Sequence, residues 1–298
     1  MRHDAIVVGG SFAGLSAATY IARGRRSVVV VDAGIPHNRF AAHSHGFLAQ
    51  DGSDPGQILA TAREQLAAYG EASLVGATAI DARPVEDGFA VTLDNGLALE
   101  TSKLVLAFGV ADILPDVPGV AERWGRTVLH CPYCHGYEIS RQRLGVLYGS
   151  PRSAQQAMLI AEWGPTTLFL DGQASPDADT MEELVRRNVF LEPARVIALV
   201  GEDHGLVDIA FEGGRQERMG ALFIGAPNRL NSDLAERLGC AIDDGPLGPV
   251  IRTDADRMTS VPGVYAAGDI ARAPHSVTWA ASDGVTAGIA VHRSLAFG

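Results

Sequence analysis

Two thiols stand three positions apart in Cys131-Pro132-Tyr133-Cys134, and they are two of only three cysteines among 298 residues. At that spacing the sulfurs can close a small ring and open it again. A helix N-terminus or a neighbouring base can acidify a thiolate there. Three readings are open. One is half of a zinc site, which needs two more ligands; only Cys240 is left among the cysteines, and His130 and His135 are too close in sequence to share a tetrahedron with both thiols. The second is an inert buried pair. The third, which the flanking motifs favour, is a redox disulfide. His135 directly follows the second cysteine. An imidazole titrates where thiolates form and leave, so His135 is the candidate proton carrier, the alternative being a capping or surface histidine. Cys240 reads as an ordinary buried cysteine near a helix end.

A second group of residues could hold a dinucleotide. In Gly9-Gly10-Ser11-Phe12-Ala13-Gly14 the first and last glycines fit Gly-x-Gly-x-x-Gly, and Ser11 takes the middle place. The first glycine permits the tight turn, the last lets the helix pack close to the strand, and the helix N-terminus then faces a pyrophosphate. Asp32 lies 18 residues past Gly14, where a carboxylate accepts hydrogen bonds from ribose hydroxyls. The bland reading is a tight turn with no ligand. Near the C-terminus, Ala266-Ala267-Gly268-Asp269 places an acid after a buried strand and a glycine. Such an acid can accept hydrogen bonds from a flavin's ribityl chain, or merely cap a helix.

A further turn, Gly149-Ser150-Pro151-Arg152-Ser153-Ala154, has a proline where a nicotinamide-binding turn would carry its second glycine, and proline has no N–H to face phosphate. After the next strand comes Asp171-Gly172-Gln173, not arginines for a 2′-phosphate. Asp171 suits NADH and not NADPH. This part is therefore an atypical NADH site or, the preferred reading, a nucleotide fold without a nucleotide. His43-x-His45 is the remaining pair with metal-binding character. No carboxylate cluster flanks it, so no metal site is expected, and a loop close to the cofactor is preferred over a solvent-exposed one.

The elements that must position these residues follow from hydrophobic period. A strand over 5–8, the turn, a helix over 15–22 and a strand over 28–31 closed by Asp32 make a βαβ opening. Residues 36–56 read as polar loop, 57–69 as a helix with Ile58, Leu59, Leu66 and Tyr69 apolar, and 72–107 as a small antiparallel meander turning at Asp94-Asn95-Gly96. A buried strand over 104–107 precedes a linker at Pro115, Pro118 and Gly119. A strand at 144–148, a helix at 153–163 and a strand at 167–170 form a second βαβ unit, completed over 181–224. Residues 252–269 return to the style of the N-terminal part, and 282–295 form a closing helix. One domain interrupts another.

The length suits about two domains, and 47% hydrophobic residues suffice for packed cores. A net charge of −11 without a Lys/Arg-rich block makes nucleic acid and anionic membranes poor partners. No apolar run reaches the ~18 residues of a membrane-spanning helix. Met1-Arg2-His3-Asp4 runs straight into the first strand, which reads as no signal peptide. With so little cysteine, the expected compartment is a reducing cytoplasm.

Together the motifs resemble the thioredoxin reductase family of flavoproteins, low-molecular-weight type. The resemblance is carried by the turn at 9–14, Asp32, the central Cys-x-x-Cys, and Thr259-Ser260-Val261-Pro262-Gly263-Val264-Tyr265-Ala266-Ala267-Gly268-Asp269. Val277-Thr278-Trp279-Ala280-Ala281-Ser282-Asp283-Gly284 before the final helix adds to it, so that essentially the whole chain is covered. It implies an α/β fold of two nested dinucleotide-binding, three-layer domains. Residues 1–112 and 244–298 would form an FAD-binding domain, 113–243 an inserted domain carrying the redox disulfide, and the chain a homodimer. Cys134 would face the isoalloxazine and Cys131 would exchange with a small dithiol or disulfide or a thioredoxin-like protein. His135 stands in the place of the family's proton-transferring aspartate, which shifts the working pH. Gly9, Ser11, Gly14, Asp32, Gly268 and Asp269 would hold FAD, and His275-Ser276 replace the usual Arg-Gln near the flavin edge.

The form Cys-Pro-Tyr-Cys-His-Gly-Tyr-Glu is similar to the subgroup containing FAD-dependent dithiol oxidases, which close disulfides and hand the electrons to oxygen. It is also similar to reductase-like proteins that draw on a donor other than NADPH. The expected function is FAD-dependent thiol/disulfide exchange without a standard NADPH site. An NAD(P)H-dependent thioredoxin-type reductase and a flavin-binding redox sensor without turnover are the alternatives.

Overall fold

The computed structural model describes residues 2–201 and 205–298. The chain divides into two compact units: Met1–Arg39, Phe47–Asp112 and Asn228–Gly298 form the first, and Phe40–Gly46 with Ile113–Pro227 the second.

The first unit opens with β1 (Arg2–Val8), α1 (Phe12–Arg23), β2 (Val28–Asp32), α2 (Pro55–Ala67) and β3 (Ala72–Gly76). β1, β2 and β3 pair in parallel. Period-two alternation sends Ala5, Val7, Val28 and Val30 to one face, against α1 and α2, and Ile6, Val8, Val29 and Val31 to the other. β4 (Ala79–Val85), β5 (Gly88–Leu93) and β6 (Ala98–Leu106) run antiparallel to one another and pack on that second face. β6 then pairs in parallel with β1. The expected meander over 72–107 is thus corrected at its start: β3 lies parallel to β2, because a helix rather than a tight turn connects them. The unit's first passage ends with β7 (Val110–Asp112).

The second unit contains α3 (Val120–Arg123), β8 (Val128–Leu129), α4 (Pro132–His135), β9 (Leu144–Leu147), α5 (Pro151–Ile160), β10 (Thr166–Phe169), α6 (Ala178–Arg186) and β11 (Phe190–Glu192). β12 (Val196–Val200), β13 (Val207–Phe211), β14 (Gln216–Met219) and β15 (Ala221–Ile224) follow. Its parallel sheet has the order β11-β10-β9-β15-β8. α5 and α6 cover one face, with Ala154, Ala157, Ile160 and Leu184 buried. The antiparallel β12-β13-β14 covers the other, with Val207, Ile209 and Phe211 against Leu147 and Phe169. These are the three layers of an α/β nucleotide fold. The stretch 181–224 read as completing this unit includes 202–204, which lie outside the described residues.

The chain returns to the first unit with β16 (Asn228–Leu230), α7 (Leu234–Arg237), β17 (Ile242–Asp244), β18 (Pro249–Ile251), β19 (Val264–Ala266) and α8 (Val277–Phe297). β16 pairs with β7, which draws residues 228–243 toward this unit. β19 pairs in parallel with β6, and α8 packs along α1. Among the described residues no helix is long and apolar enough to cross a membrane.

Candidate active site

In the first unit the β1–α1 turn lies flat against its neighbours. Gly9 has φ +110°, and a Cβ there would stand 2.2 Å from the Ala107 carbonyl oxygen. A Cβ on Gly14 would stand 1.8 Å from the Gly9 carbonyl oxygen, so only glycine lets α1 start this close to β1. Ser11 is the N-cap residue of α1. Beneath Gly10, Asp32 ends β2; its Oδ1 accepts the Gly34 N–H at 3.1 Å and its Oδ2 accepts from Arg63 at 2.9 Å. Two carboxylate oxygens offer about four acceptor positions, so capacity remains for ribose hydroxyls. The three-turn helix, the Gly9-Gly10 turn before it and the acid fit the pyrophosphate and ribose of FAD.

Gly268 (φ +80°) follows β19, and a Cβ on it would stand 3.0 Å from the Ala13 Cβ. The Gly268-Asp269 turn therefore packs on the first turn of α1. Gly9, Ser11, Gly14, Asp32, Gly268 and Asp269 are brought together at the carboxyl edge of one sheet. Ligands of open α/β sheets bind at that edge.

Sequence reasoning missed the groups that hold these acids. Arg63 of α2 bonds both Asp32 and the Gly10 carbonyl. His37 places Nε2 2.8 Å from Asp112 Oδ2 and Nδ1 3.3 Å from Asp269 Oδ2. Burial opposes charge on this imidazole, but the hydrogen bonds and charges of the two acids outweigh it and push its pKa up to about 9. Asp283 of α8 is buried beside Arg257 at 2.6 Å and Arg272 at 3.2 Å. Burial pushes its carboxyl up against the pull of the two guanidiniums. One ligand atom each from His37, Asp269 and His275 lies within 4.8 Å of the others. Both nitrogens of His37 are engaged by carboxylates, so the set reads as an ion-pair cluster.

In the second unit β8 lies at the sheet's edge, and the cysteine motif follows its carboxyl end. Cys131 and Cys134 form a disulfide, their Cα atoms 5.4 Å apart. Cys131 is the N-cap residue of the single-turn α4, and Pro132 occupies its first turn, where a missing N–H costs nothing. Gly136 closes the turn with its N–H on the Pro132 carbonyl at 2.7 Å. Tyr133 stands edge-on to Trp163, ring centroids 5.5 Å apart. Tyr133 and Tyr137 remain 73% and 83% exposed. Both cysteines are half-buried, as is His135. Burial pushes His135 below the usual histidine range; Glu138 opposes this and His45 adds to it. The His43-x-His45 loop belongs to this unit, with His45 Nε2 3.5 Å from Glu138 Oε1. Cys240, in the first unit, is buried against Thr259, and burial raises its thiol.

The second glycine turn is built differently from the first. The Gly149 and Ser150 N–H groups both donate to the Ser153 hydroxyl, at 3.1 and 3.3 Å. Asp171 accepts the Val196 N–H at 2.8 Å, and the Gln173 amide donates to the Tyr148 carbonyl at 2.7 Å. The Gly149 and Ser150 N–H groups, which would meet a pyrophosphate, are engaged within the unit itself.

A disulfide carried in one of two nested three-layer nucleotide-fold units is the architecture of the flavin-dependent disulfide oxidoreductases. Residues 3–284 match the family model described as pyridine nucleotide-disulphide oxidoreductase. The chain belongs to that family, in its thioredoxin reductase-like branch, and its cofactor is FAD. It is 33% identical over 277 residues to thioredoxin reductase tcpT of Claviceps purpurea, covering 89% of this chain and 86% of that one. It is 31% identical to thioredoxin reductase sirT of Leptosphaeria maculans, covering 97% and 93%. The crystal structure of an oxidoreductase from Agrobacterium tumefaciens is similar at 43% identity and TM-score 0.95, covering 100% of this chain and 99% of that one.

Proposed function

We propose that the protein moves two electrons between the Cys131–Cys134 pair and FAD and works without a standard NADPH site. The observation that carries this reading is the self-satisfied second turn, with Ser153 capping Gly149 and Ser150 in the same unit as the disulfide. The substrate is a small dithiol or a thioredoxin-like protein. Exposed Tyr133 and Tyr137 offer it aromatic surface beside the sulfurs. Residues 1–39, 47–112 and 228–298 hold FAD through Gly9, Ser11, Gly14, Asp32, Gly268 and Asp269, and the unit of 40–46 and 113–227 carries the disulfide. The working form is a homodimer in a reducing cytoplasm.

A substrate thiolate attacks Cys131 Sγ, the Cys131–Cys134 bond breaks, and Cys134 leaves as a thiolate. The second substrate thiol then displaces Cys131, so the substrate leaves as a disulfide and the pair is left as a dithiol. His135, held neutral by burial, accepts a proton released in this exchange. FAD, which Gly9, Ser11, Gly14, Asp32, Gly268 and Asp269 would hold, would supply a two-electron acceptor for the resulting dithiol, with oxygen as the terminal oxidant.

The test mixes the purified holoprotein with dithiothreitol in air, and separately with NADPH and with NADH. Peroxide released over many turnovers, with the flavin absorbance untouched by either nicotinamide, is the expected result. Rapid bleaching by NADPH or NADH would make the protein a reductase. Slow stoichiometric reduction without turnover would make it a sensor.

A further inference from the structure

We propose that His37 is a positioning residue for the flavin: an imidazolium clamped between Asp112 and Asp269 that holds the Asp269 carboxylate in place for the ribityl chain. The inference rests on the reading that this unit binds FAD through Asp269.

The geometry allows few alternatives. A neutral imidazole has one N–H and one lone pair. Each ring nitrogen of His37 faces a carboxylate oxygen, at 2.8 and 3.3 Å. In either neutral tautomer one nitrogen would point its lone pair at an anion. Only the imidazolium donates to both. The His275 ring stands edge-on to His37, centroids 5.9 Å apart, and flanks it from the segment before α8. Asp112 ends β7, which is paired to β16. The clamp therefore ties the Asp269 turn, which follows β19 and packs on α1, to a second strand pair. Without the cation two carboxylates would face each other across the loop, and like charges at that range repel. The ionisable groups around His37 are Asp112 on β7, Asp269 after β19 and His275, with Asp283, Arg257 and Arg272 behind Asp269.

The experiment compares His37→Gln, His37→Arg and Asp269→Asn as holoproteins. It follows FAD release by fluorescence and the visible flavin spectrum as pH is raised. His37→Gln is expected to weaken FAD binding about tenfold at neutral pH and to alter the spectrum, as loss of a charged hydrogen bond does. Wild type is expected to lose FAD as pH passes about 9, and His37→Arg, a permanent cation, to keep the affinity and to abolish that loss. Wild-type affinity and spectrum in His37→Gln, with Asp269→Asn still weakening FAD, would overturn the clamp alone. FAD binding untouched in Asp269→Asn would overturn the reading of Asp269 beneath it. Should His37→Gln not fold, the pH profile of His37→Arg decides: a profile like that of wild type overturns the clamp.

Discussion

One guanidinium nitrogen of Arg63 lies 2.9 Å from Asp32 Oδ2 and 3.0 Å from the Gly10 carbonyl oxygen. A single side chain from α2 thus joins the acid at the end of β2 to the turn after β1. Both partners are a fifth to a third exposed, so the pair adds little to global stability, on the order of 1 kcal/mol. Its consequence is local: the acid and the turn keep one mutual geometry. Arg63→Gln is expected to weaken FAD binding about tenfold while leaving the melting temperature within a few degrees. Fluorescence-detected FAD release and a thermal melt check the two halves of that statement.

Arg63 also shows how far the site could be read from the chain. Leu59, Arg63 and Leu66 recur at helical spacing on the face of α2 that packs on the core, and both leucines are fully buried. An arginine interrupting that stripe was the available signal. The glycine turn, Asp32, the cysteine pair and the nested order were legible because each is a local pattern, a period or a spacing. The His37 clamp was not, because its partners Asp112 and Asp269 come from distant parts of the chain and only the sheet brings them together. The parallel pairing of β3 was hidden for the same reason, since strand direction depends on where the preceding helix packs.

His135 should set the acid limb of turnover. Burial lowers its pKa below the ordinary 6.5, so the imidazole is neutral at physiological pH and able to accept a thiol proton. As pH falls through that lowered value the ring protonates and the acceptor is lost. Thiol-dependent turnover is therefore expected to stay level below 6.5 and drop only at more acid pH. His135→Gln should reduce the rate by about a hundredfold and remove that limb. Turnover against pH for both forms, taken as a ratio to cancel the substrate's own titration, is the measurement.

Gly136 sets how closely Trp163 approaches the disulfide turn. A Cβ there would stand 2.5 Å from the Pro132 carbonyl oxygen and 2.8 Å from Trp163 Nε1. Gly136→Ala should cost about 1–3 kcal/mol through overpacking and slow thiol exchange, with FAD affinity unchanged. Trp163→Leu added to it should restore part of the stability, because the obstructing ring is gone. A double-mutant cycle by denaturant unfolding tests the coupling. Additive losses would show that the clash is relieved elsewhere.

His37 makes folding stability depend on pH with a definite sign. Its folded pKa of about 9 lies above the ordinary 6.5, because Asp112 and Asp269 hold the proton more strongly than burial repels it. The native state therefore binds a proton that the unfolded chain has already released between those two values. The stabilisation is complete below 6.5, shrinks as pH rises from there, and is gone above about 9. Wild type should accordingly lose melting temperature across that window. His37→Gln, which has no proton to bind, should start lower at pH 6.5 and fall less, so that the two curves converge above about 9. Parallel curves across the window would mean that the two carboxylates do not hold His37 charged.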